Sequence, residues 1–438
     1  MDAPTEPSVV TEVRLTAFKS FRNAVLPLDA LTLIVGRNGS GKSNALDGLW
    51  VLARLAQGLD LRESLDGRDD SDVRGGSPGC PPFGERTFQL GASVRTGARQ
   101  VDLDVTVSVG RDPQVISERL VAEGVELLAT EPPNTSSADI SATWRNKKKG
   151  PNPAIRFRAD RLLSSQVLSR IPATAAGQEL HLAAAQVLTA LKSVFVLDPV
   201  PHLMRQYVQA ADVELRRNAS NLSAAVSSLL GNEDTRVAIV DALQKLNEQQ
   251  IIDVTTSESG LGDVMLTVKE QLGDRTFDVP ARVMSDGTLR FLAILTSVLQ
   301  APTLETSPDR MASDDAEGQT TVVIEELENG LHASQASTLV AMLRDEIGRR
   351  RVRALATSHS PAVLDSLRGE EHRSVVVCQR DAQGTSSLTR LTDLPDYWQI
   401  AAKSSLGRAA EDDLLRALPP TTVEAGSFLD DLLGPAQP

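Results

Sequence analysis

The stretch Leu31-Thr32-Leu33-Ile34-Val35-Gly36-Arg37-Asn38-Gly39-Ser40-Gly41-Lys42-Ser43 decides the fold. Five residues of strand-forming character run directly into a G-x-x-x-x-G-K-S loop. Backbone N–H groups of such a loop wrap a phosphate chain, and its glycines permit close approach. Lys42 is placed to reach the β- and γ-phosphates and Ser43 to ligate Mg²⁺, with the positive end of a helix dipole behind them. A glycine-rich β-turn is the ordinary alternative. Strand, loop, Lys-Ser and helix in that order favour a nucleoside triphosphate site. The helix itself is legible: Leu46, Leu49, Trp50, Ala53 and Ala56 recur at three- and four-residue spacing, and Gly58 supplies a stop.

Composition narrows the class. The 438 residues suit two to three domains at about 150 residues each. A 41% hydrophobic content supports a sizeable core, whereas 3% aromatic content argues against a base-stacking surface. No apolar run approaches the ~20 residues of a membrane span, and Met1-Asp2-Ala3-Pro4-Thr5-Glu6 lacks the features of a signal peptide. Cys80 and Cys378 are too few and too distant for a disulfide framework, so a reducing cytoplasm is expected. A net charge of −13 does not suit a protein that coats nucleic acid. Two basic runs, Arg145 with Lys147 to Lys149 and Arg349 to Arg351 with Arg353, read as solvated faces or as local DNA contacts.

Along the chain, strands are expected at Val10–Phe18 and Leu31–Val35, and again at Thr87–Val94 and Val101–Val109. Residues 59–86 read as an exposed loop, and Glu131 to Pro151 as a mobile polar insertion. From about 175 to 250 the pattern is helical, including Ala183–Val194 and Leu222–Leu230, without sustained heptads. Strand material returns at Ile251–Thr255 and Val264–Val268. An acidic linker from Glu305 to Asp315 precedes Thr321–Ile324. Four divisions follow. These are an N-terminal lobe over 1–125, a polar loop with helical insert over 126–250, a C-terminal lobe over 251–380 and a tail over 381–438.

Three further segments carry chemistry. Val322-Val323-Ile324-Glu325-Glu326 is an apolar strand that delivers two carboxylates at its end, as an NTPase needs to hold Mg²⁺ and polarise water. A core strand meeting a helix N-terminus is the plain alternative. Arg353 to Thr357 forms a companion strand ending in Ser358-His359-Ser360-Pro361, where His359 can meet a γ-phosphate or simply cap the strand. Leu339, Met342, Leu343 and Ile347 give the intervening helix a buried face, completing a right-handed βαβ unit. Ser285-Asp286-Gly287-Thr288 opens the all-apolar helix Phe291–Leu299, offering either an anion site or an ordinary N-cap.

Taken together, the four segments resemble the head domain of ABC-type ATPases, in the branch holding RecF, SMC and OLD-type proteins. The resemblance covers about residues 1–110 and 280–380. It implies an α/β fold: a P-loop NTPase head with a mixed sheet, flanking helices, an antiparallel β subdomain and a helical insert, without a long coiled coil. It also implies ATP and Mg²⁺ as cofactors and ATP hydrolysis as the activity. Gly36, Arg37, Asn38, Gly39, Ser40, Gly41, Lys42, Ser43 and Asn44 would hold phosphate, and Ser43 with Glu325 the metal. Glu326 would be the general base and His359 the switch. In this family two heads dimerise, so Ser285, Asp286 and Gly287 would complete the site of a second copy. Phe18-Lys19-Ser20-Phe21-Arg22 resembles the segment that touches the nucleobase, which nominates Lys19 and Phe21. Gln89 is the candidate for the metal-sensing glutamine. His332 either contacts the opposite protomer or caps a helix. Leu197-Asp198-Pro199-Val200-Pro201 through Met204-Arg205, and Asn218 to Leu222, also resemble insert segments, with turn and capping as the default roles.

The expected function is an ATP-dependently dimerising sensor or motor in DNA-directed work such as antiphage defence or repair. Its partners would be a homodimer or higher homo-oligomer and a separate nuclease or effector, with DNA contact left open and no membrane partner. An ATP-gated scaffold restraining a toxin or nuclease, or a transporter ATPase subunit, are the alternatives. Asp412-Asp413-Leu414-Leu415 and Asp430-Asp431-Leu432-Leu433 look like amphipathic tail helices.

Overall fold

The computed structural model describes residues 6–67, 73–131, 138–246, 250–304, 318–350 and 352–415. The acidic linker and the Asp430 to Leu433 segment lie outside the described residues. The first strands are β1 Val9–Phe18, β2 Phe21–Pro27 and β3 Leu31–Val35, followed by β4 Thr87–Thr96, β5 Arg99–Ser108 and β6 Gln114–Ala122. Next come β7 Val125–Thr130, β8 Asp139–Trp144, β9 Ala154–Arg158, β10 Val194–Leu197 and β11 Val208–Gln209. The remainder are β12 Gln250–Glu258, β13 Asp263–Leu272, β14 Arg275–Pro280, β15 Thr321–Ile324, β16 Arg353–Ser358, β17 Val375–Arg380 and β18 Ser386–Arg390. Fourteen of them form one sheet in the order β10-β15-β16-β3-β17-β18-β2-β1-β4-β5-β6-β7-β8-β9. A second sheet holds β11, β13 and β12, with β14 paired to β13.

The large sheet changes character along its width. From β10 to β17 the strands run parallel, and from β2 to β9 they form an antiparallel series. Parallel strands need both faces covered, and the sequence supplies apolar residues on both. In β3, Ile34 packs into one core while Leu33 and Val35 pack into the other. Val323 against Val322 and Ile324 in β15, and Leu355 against Ala354 and Ala356 in β16, divide the same way. Helices Lys42–Ala56 and Ala175–Lys192 contribute Leu49, Leu52, Val187 and Leu191 to the first core. Helices Asp286–Leu304 and Ala333–Arg350 contribute Phe291, Leu295, Leu339 and Leu343 to the second. The α/β class, the mixed sheet and the βαβ crossover therefore stand. The longest described helix has 19 residues, and no described helix is long and apolar enough to cross a membrane.

Several expectations are corrected. Residues 59–86 are not simply exposed: helix Leu61–Asp66 forms, and Leu61, Leu65, Val73 and Cys80 are buried. The polar insertion contributes β8, so the sheet continues past residue 125 as far as Arg158. The helical insert contains β10, which pairs in parallel with β15 and forms an edge of the main sheet. Its four residues are all buried, and a run that short leaves no periodicity to separate it from the preceding helix. Asp412 to Leu415 follow the short helix Leu406–Glu411 and do not form a helix themselves.

Both cysteines are buried and free. Burial pushes the Cys80 thiol up to about 12 and the Cys378 thiol up to about 11. Since the thiolate is the nucleophile, neither side chain should react with iodoacetamide at pH 8 in the folded protein, and both should in denaturant. Rapid labelling of the native chain would contradict this. Because both folded-state values are raised, the thiols' stabilising contribution is full below the ordinary thiol value of 9.0 and falls as pH rises towards about 11.

Candidate functional site

The parallel pairing brings the chemistry to one edge. Ile324 of β15 lies opposite Ala356 of β16, and Ser358 of β16 lies opposite Val35 of β3. The phosphate loop, the two carboxylates and His359 thus emerge side by side from the carboxyl ends of adjacent strands. Ligand sites in open α/β sheets lie at this edge.

The loop after β3 is ordered by its surroundings. Arg37, Asn38 and Gly39 are exposed, while Ser40 and Lys42 are buried. Gly41, at φ 113°, leaves no room for a Cβ, which would lie 2.5 Å from Ser386 Oγ. That hydroxyl donates to Ser40 C=O at 2.7 Å and shares a hydrogen bond with Ser20 Oγ at 2.8 Å, and Asn44 Nδ2 donates to Ser20 Oγ at 2.9 Å. The turn between β1 and β2 therefore braces the underside of the loop. The Lys42 ammonium donates to Gly36 C=O at 2.7 Å and Arg37 C=O at 3.1 Å, spanning the mouth of the loop. Burial lowers its pKa, against the raising influence of Cys378, Glu326, Glu328 and Glu325.

Ser43 Oγ donates a short hydrogen bond to Glu325 Oε1, joining residues 282 positions apart. Arg74 donates to the same oxygen at 3.0 Å and to Asp47 Oδ1 from both Nε, at 3.1 Å, and Nη2, at 3.0 Å. Burial opposes the charge on Glu325, yet the bonds from Arg74 and Ser43 outweigh it and hold its carboxyl below the usual range. Ser43 and Glu325 both offer hard oxygens, the type Mg²⁺ prefers, and that ion commonly takes few protein ligands beside phosphate and water. Among the described residues no group of three or more His, Cys, Asp or Glu could by itself cage a metal. Ser43 with Glu325 fits a shared protein–nucleotide metal site.

Glu326, exposed, follows at φ 51°, a left-handed conformation for a non-glycine residue. Its N–H donates to Thr357 Oγ1 at 2.8 Å, and its carboxylate accepts from Asn329 Nδ2 at 3.2 Å. Glu328, 9% exposed, accepts the His359 N–H at 2.7 Å and lies 3.1 Å from His359 Nδ1 with the same oxygen. Glu328 Oε2 is buried with no hydrogen-bond partner. Glu328 and Arg74 are site residues that sequence reasoning missed. An acidic residue two positions after Glu326 was a usable signal for Glu328. Nothing in the sequence pairs Arg74 with a carboxylate 251 positions away.

A cleft of about 920 Å³ opens over Asn38, Gly39 and Ser40, bordered by His359, Arg380 and Asp413. Its volume lies within the range of small-molecule sites, about 300–1,000 Å³. Of the residues nominated for the nucleobase, Phe21 is fully buried in the core, and Lys19 pairs with Asp47 at 2.7 Å. Gln89 lies within β4 opposite Ala17. His332 serves the start of helix Ala333–Arg350, its N–H donating to Gln335 Oε1 at 2.9 Å and its ring meeting Ser334 Oγ at 3.1 Å. Ser285 Oγ accepts the Thr288 N–H at 3.0 Å, and Asp286 pairs with Arg205 at 2.6 Å. In the basic runs, Lys147 pairs with Glu179, both Arg349 and Arg350 pair with Glu346, and Arg353 is buried.

A profile of the family described as "AAA domain, putative AbiEii toxin, Type IV TA system" matches residues 31–122 and 185–365, well over half of the chain. The chain belongs to that AAA-domain family. The match takes in the phosphate loop, both carboxylates and His359, so the expected ATP-binding P-loop head is borne out. The chromosome partition protein Smc of Methanococcus voltae is 43% identical over 54 residues, which are 12% of this chain and 4% of that protein. The chain thus matches only a small part of that relative's length. Among solved structures, the SMC head domain of Thermotoga maritima is 12% identical, with 87% of this chain and 98% of that one covered and a TM-score of 0.41. A Pyrococcus furiosus Smc head bound to the C-terminal domain of ScpA is 12% identical, with 93% and 100% covered and a TM-score of 0.44. The recombination mediator RecF is 12% identical, with 88% and 99% covered and a TM-score of 0.36. In this AAA-domain protein the phosphate loop, Glu325 and His359 occupy one sheet edge by virtue of its own strand pairing.

The left-handed backbone at Glu326 makes a stability prediction. Glycine meets little steric penalty there, so Glu326→Gly should raise unfolding free energy by about 1 kcal/mol in urea titration. A net loss of stability would contradict the strained geometry.

Proposed function

We propose that this chain is an ATP-binding and ATP-hydrolysing head that associates with a second copy when ATP is bound. The hydrogen bond between Ser43 and Glu325 carries the proposal, because it couples the phosphate loop to the end of the carboxylate strand. Mg²⁺, held by Ser43 and Glu325, would neutralise phosphate charge and orient the triphosphate. Lys42 leaves its loop carbonyls to meet the β- and γ-phosphates. Glu326, placed one residue beyond Glu325, orients a water and accepts its proton. His359, held by Glu328, faces the γ-phosphate. In this arrangement catalysis is positioning and electrostatic clamping, as phosphoryl transfer requires.

The lid comes from a second head. Ser285, Asp286 and Gly287 lie at the start of a buried helix and would cover the partner's triphosphate, so binding energy is spent on association. ATP then joins the heads and hydrolysis at Glu326 releases them. Membership in a family whose description names a toxin–antitoxin system supports a setting in defence, with a separate nuclease or effector reading the joined state in the cytoplasm. The paired or buried state of several arginines and Lys147 in the basic runs gives no added support to direct DNA contact.

Particle mass measured by light scattering with ATP and Mg²⁺ tests the proposal. Glu326→Gln should accumulate a dimer or larger assembly with ATP, while Ser285→Arg should stay at its nucleotide-free mass. Identical masses for wild type and both variants in every condition would contradict it.

A further inference from the structure

The segment Leu197 to Arg205 belongs to the insert, yet it ends on the helix start that carries Ser285. Arg205 Nη2 donates to Asp286 Oδ1 at 2.6 Å and to Met284 C=O at 2.8 Å, gripping both sides of Ser285. Arg205 is itself firmly based. Pro201 opens the short helix Pro201–Met204, and Met204 is fully buried in the same core as Leu289 and Phe291. Upstream, the Asp198 and Val200 N–H groups donate to Arg217 C=O at 2.8 Å and Asn218 C=O at 3.0 Å. The returning chain is buckled by Asn221, 1% exposed, which accepts the Arg216 N–H at 2.9 Å and donates to Glu214 C=O at 2.6 Å.

The opposite side of the turn is equally close. A Cβ on Gly287 would lie 2.3 Å from Gly330 C=O, in the turn that follows Glu326. Asp286 in the first helical turn already suits the helix dipole, so helix formation does not require Arg205. What the guanidinium adds is direction. It fixes the carbonyl before Ser285 and the carboxylate after it, leaving Ser285 exposed between them.

We infer that Arg205 is a positioning residue that presents Ser285 to the nucleotide of a second copy. This rests on the two-headed site proposed above. The insert thereby holds the lid segment at the angle association needs. Lysine is a poor substitute, because one ammonium cannot reproduce the guanidinium's fixed geometry toward carboxylate and carbonyl.

The experiment mixes two defective chains. Arg205→Met should bind a fluorescent ATP analogue at its own loop as wild type does, yet lose at least about tenfold in turnover. Lys42→Ala should be inactive alone while keeping an intact lid. Mixed in equal amounts, they should recover about a quarter of the wild-type rate, since random pairing makes half of the dimers mixed and each mixed dimer has one complete site. Ser285→Arg mixed with Lys42→Ala is the reference. Recovery there but none with Arg205→Met would overturn the role given to Arg205 alone, as would Arg205→Met turnover within twofold of wild type. No recovery in either mixture would overturn the two-headed site, and the inference with it.

Discussion

Parallel pairing of β3 with β16, and of β16 with β15, is the constraint on which the site depends. Each strand ends at the same edge, so residues 36–43, 325–328 and 358–359 meet although they are far apart in the chain. Two apolar cores hold the register from both sides, because a shift of one residue would move Ile34, Val323 and Leu355 out of one core and into the other. Burial of that alternating pattern is the energetic source of the geometry. The polar contacts at the edge refine it.

Those contacts have a consistent electrostatic logic. Glu325 is drawn between a hydroxyl and a guanidinium, and Asp47 is drawn between Lys19 and Arg74. A Glu325 carboxylate held charged near a buried ammonium suits an anionic ligand that arrives with a cation. Glu328 adds a second layer by taking both the backbone N–H and the ring of His359 with one oxygen. The insert adds a third through Arg205, which links the turn at Ser285 to the core by way of Met204.

Much of this was legible in the sequence because the relevant segments carry strong local signals. Leu31 to Ser43 declares strand, loop and helix start, and Thr321 to Glu326 declares a buried strand with terminal acids. The misses have common physical causes. β10 is four buried residues directly after a long apolar helix, so periodicity cannot divide them. β8 and helix Leu61–Asp66 lie within polar stretches, where their partners, not their composition, make them order. Arg74 and Arg205 act across long separations, and a pair contact of that kind leaves no local trace, whereas Glu328 stood in view two positions after Glu326. Phe21 was nominated for a ligand on resemblance, but its place opposite Phe18 in the β1–β2 pairing puts it in the core.

If the site works as proposed, Ser43 and Glu325 act as one unit on a metal-bound triphosphate. The decisive measurement is ATP affinity by calorimetry for wild type, Ser43→Ala, Glu325→Ala and the double variant, with Mg²⁺ and with a chelator. In Mg²⁺ the double variant should bind no more weakly than the weaker single one, and the differences should vanish with the chelator. Losses that simply add, or that persist without the metal, would contradict a coupled pair.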